Sequence, residues 1–162
     1  MYKQIAKALL VPIIASISSF PALAVEDCMP PTSHYRNIQC TDNKHLFVAY
    51  DDDYRPQALL NIKGKVTASL KDFDKVEAWL YSDGFFPVLK NDQVGYINEQ
   101  GKLVVPTIYD NLIDPNNKYN EVWANPVYQG KIVVVKDGAY GVIDTNNKVI
   151  LSFENNYAMM DS

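Results

Sequence analysis

The sequence predicts an all-β domain of antiparallel hairpin or meander repeats, about three of them, stacked or curved into one unit. Short apolar runs alternate with turns rich in Gly, Asn and Asp, which is the pattern of short strands joined by tight loops. Similar segments recur at spacings of roughly 20–50 residues, as in proteins whose repeats stack or pack radially. No convincing amphipathic helix follows the first 24 residues, although residues 67–80 have some helical spacing.

The clearest repeat occupies residues 84–110. Its apolar runs predict three strands, at residues 86–90, 94–98 and 102–105. Gly101 can adopt the positive φ that closes a short hairpin loop. Pro106 is predicted to end the third strand, because proline cannot donate a ladder hydrogen bond.

Two further copies flank this repeat. In the third copy, residues 141–144 repeat the pattern of residues 95–98 at a distance of 46 residues. In the first, degraded copy, Ala58 and Gly64 take the places of Gly95 and Gly101. The predicted repeat domain runs from residue 46 to 162, with repeats at about 46–76, 84–111 and 130–154. The glycines assigned to repeat turns are Gly64, Gly95, Gly101 and Gly141.

The N-terminus has the three parts of an export signal. Lys3 and Lys7 are positive, residues 8–20 are mostly apolar, and Ala22-Leu23-Ala24 has the small-x-small pattern that signal peptidase requires. The apolar run is shorter than the roughly 20 residues that span a bilayer. Residues 1–24 are therefore predicted to be a cleaved signal peptide, with an uncleaved anchor as the competing interpretation. We expect a periplasmic protein, or alternatively a secreted one, with no transmembrane anchor after cleavage.

Residues 25–45 are predicted to form an N-terminal segment with a disulfide loop. Cys28 and Cys40 are the only two cysteines, and in an exported protein they should pair because the destination is oxidising. The alternative is a reactive or metal-binding thiol near His34 or His45. Cys-x11-Cys beside two histidines is not a recognised zinc pattern, so the disulfide is favoured and no metal is expected.

Charge argues against nucleic acid as a partner. The formal charge is −4, and it becomes −6 when Lys3 and Lys7 leave with the signal peptide. The remaining lysines are scattered and form no basic stripe. A mildly acidic, solvated surface is the simpler interpretation.

The motif of the second repeat resembles the WG-repeat family of bacterial proteins. The residues that carry the resemblance are Gly95-Tyr96-Ile97-Asn98, Gly101-Lys102, Val104-Val105-Pro106 and Tyr109-Asp110. Part of the pattern recurs at residues 141–144 and 148–150. The aromatic-Gly pair that names the family is kept as Tyr140-Gly141, whereas the second copy has Val94-Gly95. The resemblance covers residues 46 to about 153. It implies a β-rich repeat scaffold and no catalytic site.

No catalytic residue, metal ligand or cofactor is predicted. Asp51-Asp52-Asp53 offers oxygen ligands of the kind that calcium binds, but it lacks EF-hand spacing and is better interpreted as an acidic turn. A hydrolase-like enzyme of unknown substrate is the alternative function. It would need a pocket that gathers His34 or His45 with carboxylates.

Aromatic residues concentrate at the entry to the second and third repeats. Most are expected to fill the cores between repeats, because aromatic side chains bury the most area. Trp123, Trp79 and Tyr128 are candidates for an exposed platform that binds a peptide or glycan. Trp123 is the foremost of them, because residues 112–126 form an Asn- and Pro-rich insert.

These features predict an exported interaction module with a protein or cell-envelope partner. A second alternative, besides an enzyme, is a structural fragment whose repeats stack on those of another chain. That alternative predicts concentration-dependent oligomers and an uncapped, apolar repeat edge.

Overall fold

The computed structural model of the protein describes residues 28–113 and 122–154, which form three antiparallel sheets, here called A, B and C. Sheet A contains β1 Asn37–Cys40, β2 Leu46–Tyr50, β3 Pro56–Asn61 and β4 Val66–Ser69. Sheet B contains β5 Phe85–Lys90, β6 Gln93–Asn98 and β7 Leu103–Asp110. Sheet C contains β8 Lys131–Lys136, β9 Ala139–Asp144 and β10 Val149–Glu154. The predicted signal peptide, most of the 112–126 insert and the C-terminal tail lie outside the described residues.

The all-β prediction is confirmed, and each predicted repeat corresponds to one sheet. Every ladder joins strands that are consecutive in the chain, so each sheet is a meander. Strand β1 was not predicted. It comes from residues 25–45 and pairs with β2, from Asn37 opposite Tyr50 to Cys40 opposite Phe47.

The sheets stack in chain order around hydrophobic cores. One core lies between sheets A and B and includes Val48, Leu59, Phe86, Val88 and Ile97. The next lies between sheets B and C and includes Tyr96, Val105, Trp123, Ile132, Val134 and Ile143. A smaller cluster lies on the other face of sheet A, where Tyr35 packs against side chains of β1, β2 and β3: Ile38, Cys40, Phe47, Ala49, Ala58 and Leu60.

One five-residue turn occurs four times in the described chain. In sheet B, the Oδ1 of Asn98 accepts the backbone N–H groups of Gln100 and Lys102, at 3.1 and 2.9 Å. The side-chain oxygen thus accepts hydrogen bonds from two backbone N–H groups of the loop and holds the loop in one conformation. The residues that open the four turns in this way are Asp51, Asn61, Asn98 and Asp144. The fourth residue of each has positive φ: Tyr54, Gly64, Gly101 and Asn147. The turn roles predicted for Gly64 and Gly101 therefore agree with the structure.

Gly95 and Gly141 lie inside strands β6 and β9, so their assignment to turns is wrong. Each glycine is crossed at close range by the neighbouring strand. A Cβ at Gly95 would lie 2.6 Å from the carbonyl oxygen of Val105 and 2.8 Å from the backbone nitrogen of Thr107. At Gly141 the obstacle is the ring of Phe153, at 2.7 Å. Both positions need glycine for close approach, not for a turn.

The prediction that Pro106 ends its strand is also wrong, since β7 continues to Asp110. β7 is an edge strand of sheet B, where a missing N–H removes no ladder bond. Between the register pairs Val94–Tyr109 and Tyr96–Val105 the strand bulges over Gly95, and Pro106 sits in that bulge.

The connector between sheets A and B contains one 3-10 turn, Ala78–Leu80, in place of a longer helix. Its buried Ala78 and Leu80 face the cores, so the apolar spacing of residues 67–80 reflects packing of an extended connector. Within residues 28–113 and 122–154, no helix combines the length and apolarity needed to cross a bilayer.

Candidate interaction surface

Each sheet presents a row of three register partners on the face that points towards the C-terminal end of the stack. The rows are Val48–Leu59–Ala68 in sheet A, Pro87–Tyr96–Val105 in sheet B and Val133–Val142–Leu151 in sheet C. The first row packs against sheet B, and the second packs against sheet C. The third row is the equivalent surface of the last described sheet.

This third row, which we call the outer row, is open to solvent. Leu151 is 61 % exposed and Val133 is 39 % exposed, whereas Val105, the sheet B equivalent of Leu151, is fully buried. The opposite side chains of sheet C, such as Ile132 and Ile143, are buried against sheet B because side chains alternate along a strand. The outer row is therefore a stacking face without a sheet against it in the described chain.

A groove of about 430 Å³ runs along one end of the outer row. Its lining combines aliphatic, aromatic and polar side chains: Asn125, Pro126, Tyr128, Gln129, Lys131, Ile132, Val133 and Val142. Tyr128 is 72 % exposed at its rim. Asn125 donates from Nδ2 to the carbonyl oxygen of Val133 at 2.9 Å, which occupies an acceptor on the free edge of β8. The groove is thus bordered by the edge of β8, where one backbone carbonyl already accepts a hydrogen bond.

Trp123 is fully buried, so the expectation that it forms an exposed platform is wrong. Its ring packs in the core between sheets B and C, and its indole N–H donates to Oε2 of Glu77 at 2.8 Å. Lys75 approaches the same carboxylate at 3.1 Å and lies 5.6 Å from the centre of the Trp123 ring. The carbonyl oxygen of Trp123 accepts the N–H of Leu112 at 3.0 Å. These contacts bury the residue despite its polar neighbours in the sequence.

The other two predicted binding aromatics are exposed but belong to different sites. Trp79 is 58 % exposed on the 3-10 turn ahead of sheet B. Tyr128 lies in the turn ahead of sheet C, where its backbone N–H and carbonyl pair with Lys131. Trp79 is not among the described residues that line the groove. The structure therefore associates Tyr128, and not Trp79 or Trp123, with the outer face of sheet C.

The N-terminal end of the stack is covered by the chain itself. Cys28 and Cys40 lie at disulfide-bonding distance, with Cα atoms 6.2 Å apart, as the sequence predicts. Tyr35, between them in sequence, packs on the face of sheet A that points away from sheet B. The backbone of Thr32 lies so close to Gly64 that a Cβ there would overlap it. Among the residues that the structure describes, the two ends of the stack therefore differ: sheet A is covered and the outer row of sheet C is open.

Neither histidine is among the described residues that line the groove beside the outer row. His34 and His45 are both exposed, and His34 stacks on Tyr35 with ring centres 4.0 Å apart. In the described part of the chain, no group of three or more His, Cys, Asp or Glu side chains is arranged to hold a metal ion. The carboxylate of Asp51 accepts two backbone N–H groups of its own turn and the side chain of Gln57. The acidic run is therefore a turn.

Tyrosine hydroxyl groups join the layers of the stack. Tyr81 donates to Oε1 of Glu99 at 2.5 Å, and Asn43 of sheet A donates to the same oxygen at 2.8 Å. Burial, followed by the hydrogen bond to Glu99, raises the pKa of Tyr81 to about 12. Burial also raises the pKa of Tyr50, Tyr96 and Tyr109. These side chains act as neutral hydrogen-bonding groups between sheets.

The outer row and Glu77 were not identified by sequence reasoning. The signal for the outer row was present, since Val142 and Leu151 lie 46 residues beyond Tyr96 and Val105. Whether such a row is covered depends on a following sheet, which no single repeat reveals. No local pattern marks Glu77, because its partner Trp123 is 46 residues away.

A family model for the WG containing repeat matches residues 95–138. The match begins at Gly95 in the middle of sheet B and ends at Gly138 in the first hairpin of sheet C, so the family unit bridges two sheets. No curated protein and no solved structure matches the chain. Residues 95–138, whose motif is partly repeated in sheets A and C, are therefore similar to the proteins built from the WG containing repeat.

Proposed function

We propose that this protein is an exported interaction module and that it binds a macromolecular partner through the outer face of sheet C. The observation that carries the proposal is the outer row. The row is buried or half-buried in sheets A and B, whereas in sheet C Val133 and Leu151 are exposed and Val142 is half-buried. Contiguous exposed apolar surface with a polar rim is typical of protein interaction sites.

The groove beside the outer row adds specificity to this surface. Tyr128 and Pro126 offer rigid apolar contact area, and Lys131 and Gln129 offer donors at the rim. Tyrosine is enriched at interaction hot spots because its ring is apolar and its hydroxyl group forms hydrogen bonds. We expect a protein partner of the cell envelope.

Export is supported by the N-terminal sequence and by the cysteine pair. The n-region lysines, the short apolar run and Ala22-Leu23-Ala24 favour cleavage after Ala24. Paired cysteines are typical of proteins that fold in an oxidising compartment. N-terminal sequencing of the protein from a periplasmic fraction should give Val25 as the first residue. A full-length chain in the cytoplasm would contradict export.

The binding proposal is tested by crosslinking the oxidised protein in its own envelope fraction and identifying the captured chains. We expect capture to be lost in Tyr128→Ala and in Leu151→Lys. Trp79→Ala is the control, because Trp79 is equally accessible but lies ahead of sheet B. A partner that is captured equally by all variants would place the binding surface elsewhere. A chain recovered without any crosslinked partner, a second copy of itself included, would oppose the proposal.

A further inference from the structure

We propose that the outer row is a two-fold interface between two copies of this chain, in which sheet C of one copy stacks on sheet C of the other. This inference rests on the proposed docking role of the outer face and names its partner. The established contacts between sheets A and B and between sheets B and C supply the geometry. A third sheet-on-sheet contact would continue the same stack across two chains.

The shape of the outer row fits a sheet rather than a single segment. Val133, Val142 and Leu151 are register partners on three adjacent strands, so the row extends about 10 Å across the sheet. The equivalent row in sheet B includes Tyr96 and Val105. Both residues are buried in the core between sheets B and C. Sheets that pack face to face interdigitate such rows.

The covered end of the stack determines which sheet of the second copy is available. Within one chain, the row of sheet B packs on the face of sheet C that contains Ile132 and Ile143, which is the face opposite to the outer row. The corresponding face of sheet A is buried at Phe47 and Leu60, where Tyr35 from the segment before β1 packs on it. Head-to-tail stacking of C on A is therefore blocked. Within residues 28–113 and 122–154, the sheet face left open on the second copy is its outer row, which gives an isologous contact that closes at two chains.

The charges at the margin of the row suit a contact between identical surfaces. Lys131 and Asp144 are register partners at one end, and Glu154 lies opposite Tyr140 at the other. A two-fold axis can therefore place Lys131 of one copy beside an acidic residue of the other. This matters because the chain has a formal charge of −6 once the predicted signal peptide with Lys3 and Lys7 is removed, and two acidic proteins repel each other on average.

The test is the mass of the oxidised full chain in solution, measured by sedimentation over a wide range of concentration. We expect a monomer–dimer equilibrium, and Leu151→Lys should raise its dissociation constant at least tenfold. The matched control is Ile62→Lys. The exposed fraction of Ile62, 57 %, is similar to that of Leu151, but Ile62 lies in the β3–β4 turn of sheet A. Equal weakening by the two variants would contradict an interface at the outer row.

A crosslink tests the symmetry. Val142 lies on the central strand of sheet C, so a cysteine there should approach its counterpart across a two-fold axis. Val142→Cys should give a bismaleimide-linked dimer, and Ser69→Cys, exposed on β4 of sheet A, should not. Oligomers whose mass keeps growing with concentration would overturn the two-fold arrangement in favour of open stacking.

Two other results would overturn the inference in distinguishable ways. A chain that is monomeric at every concentration, yet captures an envelope protein through Tyr128 and Leu151, would retain the proposed function and exclude the second copy. A monomeric chain that becomes dimeric when Tyr157, Met159 and Met160 are all replaced by Ser would assign the outer row to the chain's own residues 155–162. A monomer without any partner would remove both proposals.

Discussion

The carboxylate of Asp110 accepts the backbone N–H of Gly138 at 2.8 Å, and this bond joins the last strand of sheet B to the first hairpin of sheet C. Asp74 makes the equivalent contact one repeat earlier, with the N–H of Asn91 at 2.7 Å. The acidic residue of the Tyr-Asp pair is therefore a connector between repeats. It completes the hydrogen bonding of a hairpin that belongs to the following sheet.

We expect Asp110→Ala to lower the free energy of unfolding by about 1–2 kcal/mol, because a charged acceptor is lost at a backbone donor. Asp110→Asn should recover most of this loss, since its side-chain oxygen can still accept the bond. Asp72→Ala, an exposed position in the connector, should change stability by less than about 0.5 kcal/mol. Urea denaturation measures all three. Equal effects of the Ala variants at positions 72 and 110 would argue against a linking role.

The two strand glycines should respond differently to alanine. At Gly95 the obstacle is backbone of β7, which cannot move without breaking its bulge, so Gly95→Ala should cost about 3 kcal/mol. At Gly141 the obstacle is the half-buried ring of Phe153, which can turn aside, so Gly141→Ala should cost about 1 kcal/mol. Thermal unfolding of the two variants gives the comparison. A larger loss at Gly141 would contradict the interpretation.

Gly101 combines a positive φ of 73° with a neighbour in another sheet. A Cβ there would overlap the Cβ of Ala68 on β4, so Gly101→Ala adds a clash to the backbone strain. We expect a loss of about 2–3 kcal/mol. Gly138→Ala isolates the strain alone, because Gly138 has a φ of 77° and open space around it, and it should cost about 1–2 kcal/mol.

The clash part of the Gly101 effect can be measured separately. In a double-mutant cycle, Ala68→Gly should relieve part of the destabilisation caused by Gly101→Ala but none of that caused by Gly138→Ala. Additive effects in the first pair would show that sheets A and B do not touch at this turn.

The sequence predicts the three sheets well because their signals are local. The turn formed by Asn98 and Gly101 lies within five residues, and its copies keep the same spacing. The burial of Trp123 could not be predicted, because its partner Glu77 and the sheet B residues over it are distant in the sequence. The continuation of β7 through Pro106 could not be predicted either, since edge strands tolerate proline and only the assembled sheet shows which strand is at the edge.

Because Trp123 is a core residue, Trp123→Ala reports on stability and not on binding. We expect it to cost about 3–5 kcal/mol, as for other buried aromatic side chains. Trp79 and Trp123 are the only tryptophans, so Trp79→Phe leaves the buried one as the sole emitter. Its fluorescence should resist acrylamide in the folded state and become quenchable on unfolding. Strong quenching in the folded state would contradict its burial.

Alkaline pH should loosen the stack. The folded-state pKa of Tyr81, about 12, lies above the ordinary value of 10.0. Its contribution to stability is therefore complete below about pH 10 and is lost as the pH rises towards 12. The melting temperature should fall above pH 10, and Tyr81→Phe should make that fall shallower. An unchanged slope in Tyr81→Phe would assign the effect to the other buried tyrosines.

Pairing only between consecutive strands also bears on the order in which the chain can fold. Sheet A can be completed before any residue of sheet B has left the ribosome or crossed a membrane, and sheet B before sheet C. Such short sequence separations favour rapid, vectorial assembly. Cys28 and Cys40 both precede sheet B in the chain, so their oxidation would fix sheet A, the layer on which the later sheets are laid.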